Sequence, residues 1–263
     1  MIKVSHELPL SLLRYGYKWN DYDYCLPNLL EYEQYANYFK QAKKDKRFII
    51  LDNGLFEGVH YTNSELITFN DLIQPDIFIV PDEWNDSTTT LRNAKQWINQ
   101  YGKPLRDTYK INLMAVCQGK DICELITTYQ TLVDLGYKHI AFNHSSIAYT
   151  NYYPNHSKLS AQMYGRIELV RRLIETDTID KSVYHHLLGA SDWKEFQVYT
   201  EFDWIKSVDT SSPIINGALG IKLNHDEPYI KPTKKIEELF NIDLSEQIED
   251  IIFNVNKFRQ SIK

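Results

Sequence analysis

The chain has 263 residues, 43% of them apolar, which is enough to bury one large core, and α/β barrels commonly reach this size as one domain. Its formal charge of −6 argues against a protein that coats nucleic acid by charge alone, leaving room for a nucleic acid held locally as a substrate. Cys25, Cys117 and Cys123 form an odd set without CxxC or Cys/His ligand spacing, so neither a disulfide framework nor a structural zinc is indicated, and a reducing cytoplasm fits.

Met1 to Leu13 carries too short an apolar run for a signal peptide, and no stretch approaches the roughly 20 apolar residues of a membrane span. A soluble, cytoplasmic protein is expected. Residues 1–22, with Pro9 and an aromatic, polar stretch from Tyr15 to Tyr24, read as an N-terminal segment packed on the surface. Tyr24 to Leu26 is a short strand candidate before Pro27-Asn28, and Leu29 to Lys44 reads as a helix with a lysine-rich end that suits its negative pole. The run Lys43 to Arg47 reads as a solvated helix end.

From there strands and helices alternate. Phe48 to Leu51 is an apolar run that ends in Asp52-Asn53-Gly54, followed by a helix from Thr62 to Ile73 with Thr62 or Asn63 as its cap. Asp76 to Val80 is a strand stopped by Pro81-Asp82-Glu83, then Ser87 to Tyr101 is a helix. Tyr109 to Val116 is a strand ending in Cys117-Gln118-Gly119, with a helix from Asp121 to Leu135. His139 to Phe142 is a strand ending in Asn143-His144-Ser145-Ser146, with a helix from Ser160 to Thr176. Tyr184 to Leu188 ends at Gly189-Ala190-Ser191, and a short helix spans Asp192 to Tyr199. Trp204 to Val208 ends in Asp209-Thr210-Ser211-Ser212-Pro213. Thr233 to Phe258 reads as one or two amphipathic helices with apolar Ile248, Ile251, Ile252, Val255 and Phe258.

Seven strand candidates, most followed by a helix, predict a (β/α)8 TIM barrel with one degenerate strand, near the N-terminus or in Ala218 to Leu223. An open doubly wound sheet is the runner-up, but no GxGxxG follows the first clear strand and no GxxxxGK[ST] occurs. In a barrel the strand ends converge, so Asp52, Asp82, Gln118, Asn143, Gly189 and Asp209 would line one pocket. Three separated aspartates without a histidine cluster or GxSxG point to carboxylate chemistry. Cleavage of a glycosidic or N-glycosidic bond and metal-dependent hydrolysis both remain open at this level. Plainer roles also exist: Asp52 and Asp209 as turn caps, Phe56 and Leu188 as core, Gln118-Gly119 as a turn. His185 and His186 are adjacent and face opposite ways in a strand, so one packed and one exposed histidine is expected.

The order of motifs resembles the tRNA-guanine transglycosylase superfamily, the queuine and archaeosine tRNA-ribosyltransferases, a barrel family that exchanges guanine in a polynucleotide for a 7-deazaguanine. Asp52-Asn53-Gly54-Leu55-Phe56 resembles its D-S-G-G-[FY], Pro81-Asp82-Glu83 its x-D-E, and Cys117-Gln118-Gly119 its V-Q-G. His186-Leu187-Leu188-Gly189-Ala190 resembles its Y-L-M-G-[VA], and Val208-Asp209-Thr210 its F-D-[CS]. The resemblance implies Asp209 as the nucleophile on C1′, Asp52 as general acid/base and Phe56 as the ring that stacks on the base. It implies Asp82, Gln118 and Gly119 at the purine edge, Asn143 or His144 on the neighbouring loop, and Leu188-Gly189 as the opposite wall. No organic cofactor is needed for such an exchange, and this chain's own residues offer no metal-ligand set.

The departures matter as well. No cysteine follows Cys123, so the family's C-terminal zinc region is missing, and Ser211-Ser212-Pro213-Ile214 replaces P-T-R after the nucleophile. The short chain is most similar to the phage branch, which inserts 7-deazaguanines into DNA, so DNA is expected in preference to tRNA and the host cytoplasm is the expected location. A tRNA-guanine transglycosylase, an N-glycosidase or nucleoside hydrolase, and a non-catalytic nucleic-acid-binding barrel subunit are the alternatives. The C-terminal helices could also pair two copies into a homodimer.

Overall fold

The apolar runs between turn signals become the strands of one sheet. The computed structural model describes residues 1–224 and 234–262. Its strands are β1 (Lys3–His6), β2 (Asp23–Cys25), β3 (Ile49–Leu51), β4 (Ile77–Ile79), β5 (Asn112–Cys117), β6 (His139–Asn143), β7 (Tyr184–Leu188) and β8 (Ile205–Thr210). All are parallel, in the order β1-β8-β7-β6-β5-β4-β3-β2, and β1 and β2 meet to form a (β/α)8 TIM-barrel-like α/β fold. Ile49-Ile50-Leu51 and Ile77-Phe78-Ile79 are wholly buried, as strands covered on both faces must be.

The helices are α1 (Gly16–Trp19), α2 (Glu33–Lys44), α3 (Asn63–Ile73), α4 (Ser87–Trp97), α5 (Ile122–Asp134), α6 (Ile147–Tyr152), α7 (Lys158–Glu175), α8 (Phe196–Tyr199), α9 (Ser212–Ala218) and α10 (Ile248–Ser261). Side chains set several of their starts. Thr62 and Glu65 form a capping box on α3, while Asp86, Asp121 and Ser157 accept from the first-turn N–H groups of α4, α5 and α7. Among the described residues no helix is long and apolar enough to cross a membrane.

The eighth strand is β1, inside the segment expected to lie on the surface. Its register with β8 pairs Lys3 with Ser207 and His6 with Thr210. It escapes recognition because Ser5 and His6 break the apolar run. The seam between β1 and β2 is closed by side chains. Val4 N donates to Asp21 Oδ2 (3.0 Å), His6 N to Asn20 Oδ1 (2.8 Å), and Tyr24 N to Ser5 Oγ (3.0 Å). Polar residues thus do at the seam what backbone ladders do elsewhere, satisfying buried N–H groups.

Other expectations shift too. Ala218 to Leu223 is not a strand, and Ser212-Pro213, beyond the expected strand end, is the start of α9, with Pro in the first turn where no N–H is needed. The helix expected from Leu29 starts at Glu33, after a 3₁₀ turn at Pro27–Leu29. The strand expected from Tyr109 starts at Asn112, because Leu105–Tyr109 is a π-helical turn closed by Lys110 in the left-handed region. Arg47 is not a solvated helix end: it pairs with buried Asp23 and lies over the Tyr17 ring, and Lys43 pairs with Asp76. In the tail, Thr233 lies outside the described residues, a 3₁₀ turn spans Ile236–Leu239, and α10 buries Ile251, Val255 and Phe258 while Ile252 is exposed.

Helix α10 packs directly on α9. A Cβ at Gly217 would lie 2.6 Å from Ile251 Cα, so two helix backbones meet where only a glycine fits. Gly217→Ala should therefore destabilise the fold by roughly 1–3 kcal/mol, as overpacking does. A shift of the urea midpoint at unchanged slope checks this, and an unchanged midpoint would contradict it.

Candidate active site

All the strands deliver their C-terminal ends to one cleft with about 1020 Å³ of empty space, part of it open to solvent. Its lining includes Asp52, Phe56, Asp82, Gln118, Asn143, His144, Leu188, Gly189 and Asp209, which come from six strand ends spread over most of the chain. Gly119 does not line it. A Cβ there would come 3.0 Å from Leu125 N, so this glycine lets the turn pack against the start of α5 behind the wall.

A hydrogen-bonded row crosses the ends of β3 to β6. Asn53 Nδ2 donates to Asp82 Oδ1 (2.7 Å) and to Val80 O (2.9 Å). Gln118 Nε2 donates to Asp82 Oδ2 (2.7 Å), and Gln118 Oε1 accepts from Asn143 Nδ2 (3.0 Å) and Asn85 N (3.2 Å). Each Asp82 oxygen therefore holds one amide donor and keeps further acceptor capacity. His144 is fixed by Ser191, with Nε2 2.7 Å from its Oγ.

Across the cleft Asp209 is held through one oxygen. Oδ1 accepts from Gly189 N (2.9 Å) and lies 2.9 Å from His186 Nε2, while no hydrogen bond among the described residues reaches Oδ2. Gly189 has φ +70, a backbone conformation that turns its N–H to Asp209 and that other residues rarely adopt. Its carbonyl is fixed as well. Arg166, fully buried, donates to Gly189 O (2.8 Å), Leu188 O (3.2 Å) and Phe142 O (3.2 Å), and forms a bidentate pair with Glu195.

Both histidines of β7 are buried, so the expectation of one exposed histidine is corrected. His186 points inward to Asp209, whereas His185 points outward, where Tyr129, Phe142 and Trp204 surround it. In a barrel the outer face of a strand is covered by helices and loops rather than by water.

At the mouth, Phe56 and Trp84 are each 45% exposed with ring centroids 6.1 Å apart. Phe56 is thus not a core residue. Lys235 donates to the Phe56 carbonyl (3.0 Å) and lies 5.3 Å from its ring centre. Trp84, Glu7, Tyr24, Glu57 and Glu237 are among the lining residues that sequence reasoning missed. Glu7 had a usable signal, since it lies two residues beyond Ser5 on the same face of β1, but only once that strand is recognised.

The carboxylates share little water, and their acidities shift accordingly. Burial pushes Asp52 up to about 7; the Asn53 N–H offsets part of this, and the charges of Asp209 and Asp82 add to it. Burial raises Asp82 to about 6 against the pull of the Gln118 and Asn53 donors. Glu7 and Glu57 are also pushed up, first by burial and then by neighbouring carboxylates. Asp52 can therefore carry or release a proton near neutrality. The Cys25 and Cys117 thiols are buried and pushed up, which keeps them unreactive, and among the described residues no group of three or more His, Cys, Asp or Glu is arranged to hold a metal ion.

The raised Asp52 has a consequence for stability. Its value in the fold, about 7, lies above the ordinary 3.8, so its contribution favours the fold at low pH and is lost as pH rises through 7. Asp52→Asn should accordingly melt several degrees above the parent protein at pH 8, with the gap closing towards pH 4, in paired thermal scans. A gap that is constant or reversed would contradict the burial of an ionisable Asp52. Comparison with protein-family models and with curated proteins gives no match.

Proposed function

We propose that the protein is a guanine transglycosylase that exchanges guanine in a polynucleotide, DNA in preference to tRNA, for a 7-deazaguanine base. The observation that carries this reading is the pairing of two unlike carboxylates in one cleft. Asp209 is anchored through Oδ1 with Oδ2 left to the cleft, and Asp52 has its pKa raised to about 7. A carboxyl able to hold a proton near neutrality suits a general acid, and a carboxylate anchored through one oxygen suits a nucleophile. Turn-capping aspartates would have no need of this arrangement.

In the first step Asp209 Oδ2 attacks C1′ of the target nucleotide. The bond from C1′ to guanine breaks with its electron pair on the base, and protonated Asp52 supplies the proton the departing base takes. The enzyme then holds the sugar as an ester. In the second step Asp52 takes the N–H proton of an incoming 7-deazaguanine, whose nitrogen attacks C1′ and displaces Asp209 as a carboxylate.

The row of Asn53, Asp82, Gln118 and Asn143 supplies the purine edge. Asp82, oriented by two amides, accepts from ring and exocyclic N–H groups, and Leu188-Gly189 forms the facing wall. Phe56 and Trp84 offer aromatic faces at the mouth for a base taken out of its stack. Ser211-Ser212-Pro213-Ile214, standing where the tRNA enzymes carry P-T-R after the nucleophile, is what favours DNA.

Incubation with labelled guanine and 7-deazaguanines, with DNA and tRNA in parallel, tests the proposal. Incorporation into DNA is expected, abolished in Asp209→Ala and slowed roughly 10²–10⁴-fold in Asp52→Asn. Guanine released without incorporation under excess base would point to hydrolysis instead. No turnover of either polymer by the folded protein would leave a binding barrel.

A further inference from the structure

Beneath Asp209 the barrel interior is polar. Tyr184 and His186 lie two apart on β7, Ser207 and Asp209 two apart on β8, and the register sets His186 opposite Ser207. The four side chains form one line. Tyr184 Oη donates to Ser207 Oγ (2.8 Å), Ser207 Oγ lies 2.8 Å from His186 Nδ1, and His186 Nε2 lies 2.9 Å from Asp209 Oδ1. His186 has no exposed surface, and Tyr24 stacks on it (5.9 Å, 16°) while Tyr22 meets it edge-on (6.5 Å, 83°).

For an uncharged imidazole beside a carboxylate, this line has one consistent order of protons. The Tyr184 proton lies on Ser207 Oγ, so the single Ser207 proton is free to go to His186 Nδ1. Nδ1 is then the acceptor, and Nε2 carries the ring proton that Asp209 Oδ1 accepts. We infer that His186 is a positioning residue, held as the neutral Nε2–H tautomer by Ser207 and Tyr184, which together with Gly189 N–H occupies Oδ1 and so selects Oδ2 as the attacking atom. The role assigned to Oδ2 rests on the base-exchange reading; the proton order does not. Two donors on one oxygen also stop the carboxylate from rotating, so the reacting oxygen is presented in a single orientation.

Nitrogen-15 spectra of histidine-labelled protein read the proton order without any substrate. The expected pattern for His186 is a protonated Nε2 and an unprotonated Nδ1. Ser207→Ala, which keeps the histidine but removes the hydroxyl that defines Nδ1, should redistribute the proton between the two nitrogens. In base exchange, His186→Leu should lower kcat by roughly 10²-fold, as misplacement of a reacting group does, with KM for the polymer little changed. His186→Gln, whose amide can still donate to Asp209, should recover much of that loss.

An imidazolium, an Nδ1–H tautomer, or a folded His186→Leu protein with parental kcat would overturn the inference. Should His186→Leu fail to fold, the Ser207→Ala spectra carry the same test, and an unchanged nitrogen pattern there would overturn it. If the protein exchanges no base at all, the nitrogen pattern still decides the proton order, so failure of this inference and failure of the base-exchange reading are told apart.

Discussion

A carboxylate at the end of a buried barrel strand loses most of its hydration, and in this protein the replacement donors come from neighbouring strands. Asp209 on β8 takes its hydrogen bonds from His186 and Gly189 of β7 and its following turn. Asp82, just beyond β4, takes its own from Asn53 after β3 and Gln118 after β5. Each acid is therefore oriented only when the adjacent strands are in register, which couples the chemistry of the cleft to closure of the barrel. Asp52 receives less help, the Asn53 N–H and a smaller pull from the Tyr24 hydroxyl, and its pKa is raised furthest of the two shifted aspartates. The division of labour proposed for Asp52 and Asp209 rests on this unequal compensation.

The Arg166–Glu195 pair extends the same principle behind the cleft. Both side chains are wholly buried, and an ion pair taken so far from water contributes little net stability compared with an apolar substitute. Its worth lies in direction. Arg166 binds the carbonyls at the ends of β6 and β7, including that of Gly189, whose N–H faces Asp209. The pair thus fixes the peptide that holds Asp209, and the left-handed backbone at Gly189 makes both bonds available from one residue.

The strands that could be read from the sequence are those whose interior is apolar, such as Ile49 to Leu51 and Ile77 to Ile79, because uninterrupted burial leaves an uninterrupted run. Strand β1 could not be read in this way, since Ser5 and Glu7 occupy its inward face and Asn20 and Asp21 close its seam. With β1 unrecognised, Glu7 was invisible as a cleft residue. Glu57 and Glu237 were invisible for another reason: they reach the cleft from loop and tail positions that no strand periodicity marks. The alternation rule correctly set His185 and His186 on opposite faces, but it carries no information about what covers the outer face. Gly119 shows the converse, a motif residue whose place is set by packing against α5 rather than by the cleft.

The central claim is that Asp209 is a nucleophile. Its most direct test is to react the protein with guanine-containing DNA without an acceptor base, denature it, digest it and determine by mass spectrometry which peptide retains the nucleotide. The account predicts a denaturation-resistant adduct on the peptide containing Asp209, absent from Asp209→Ala. An adduct on any other residue, or guanine release with no adduct at any time point, would contradict it.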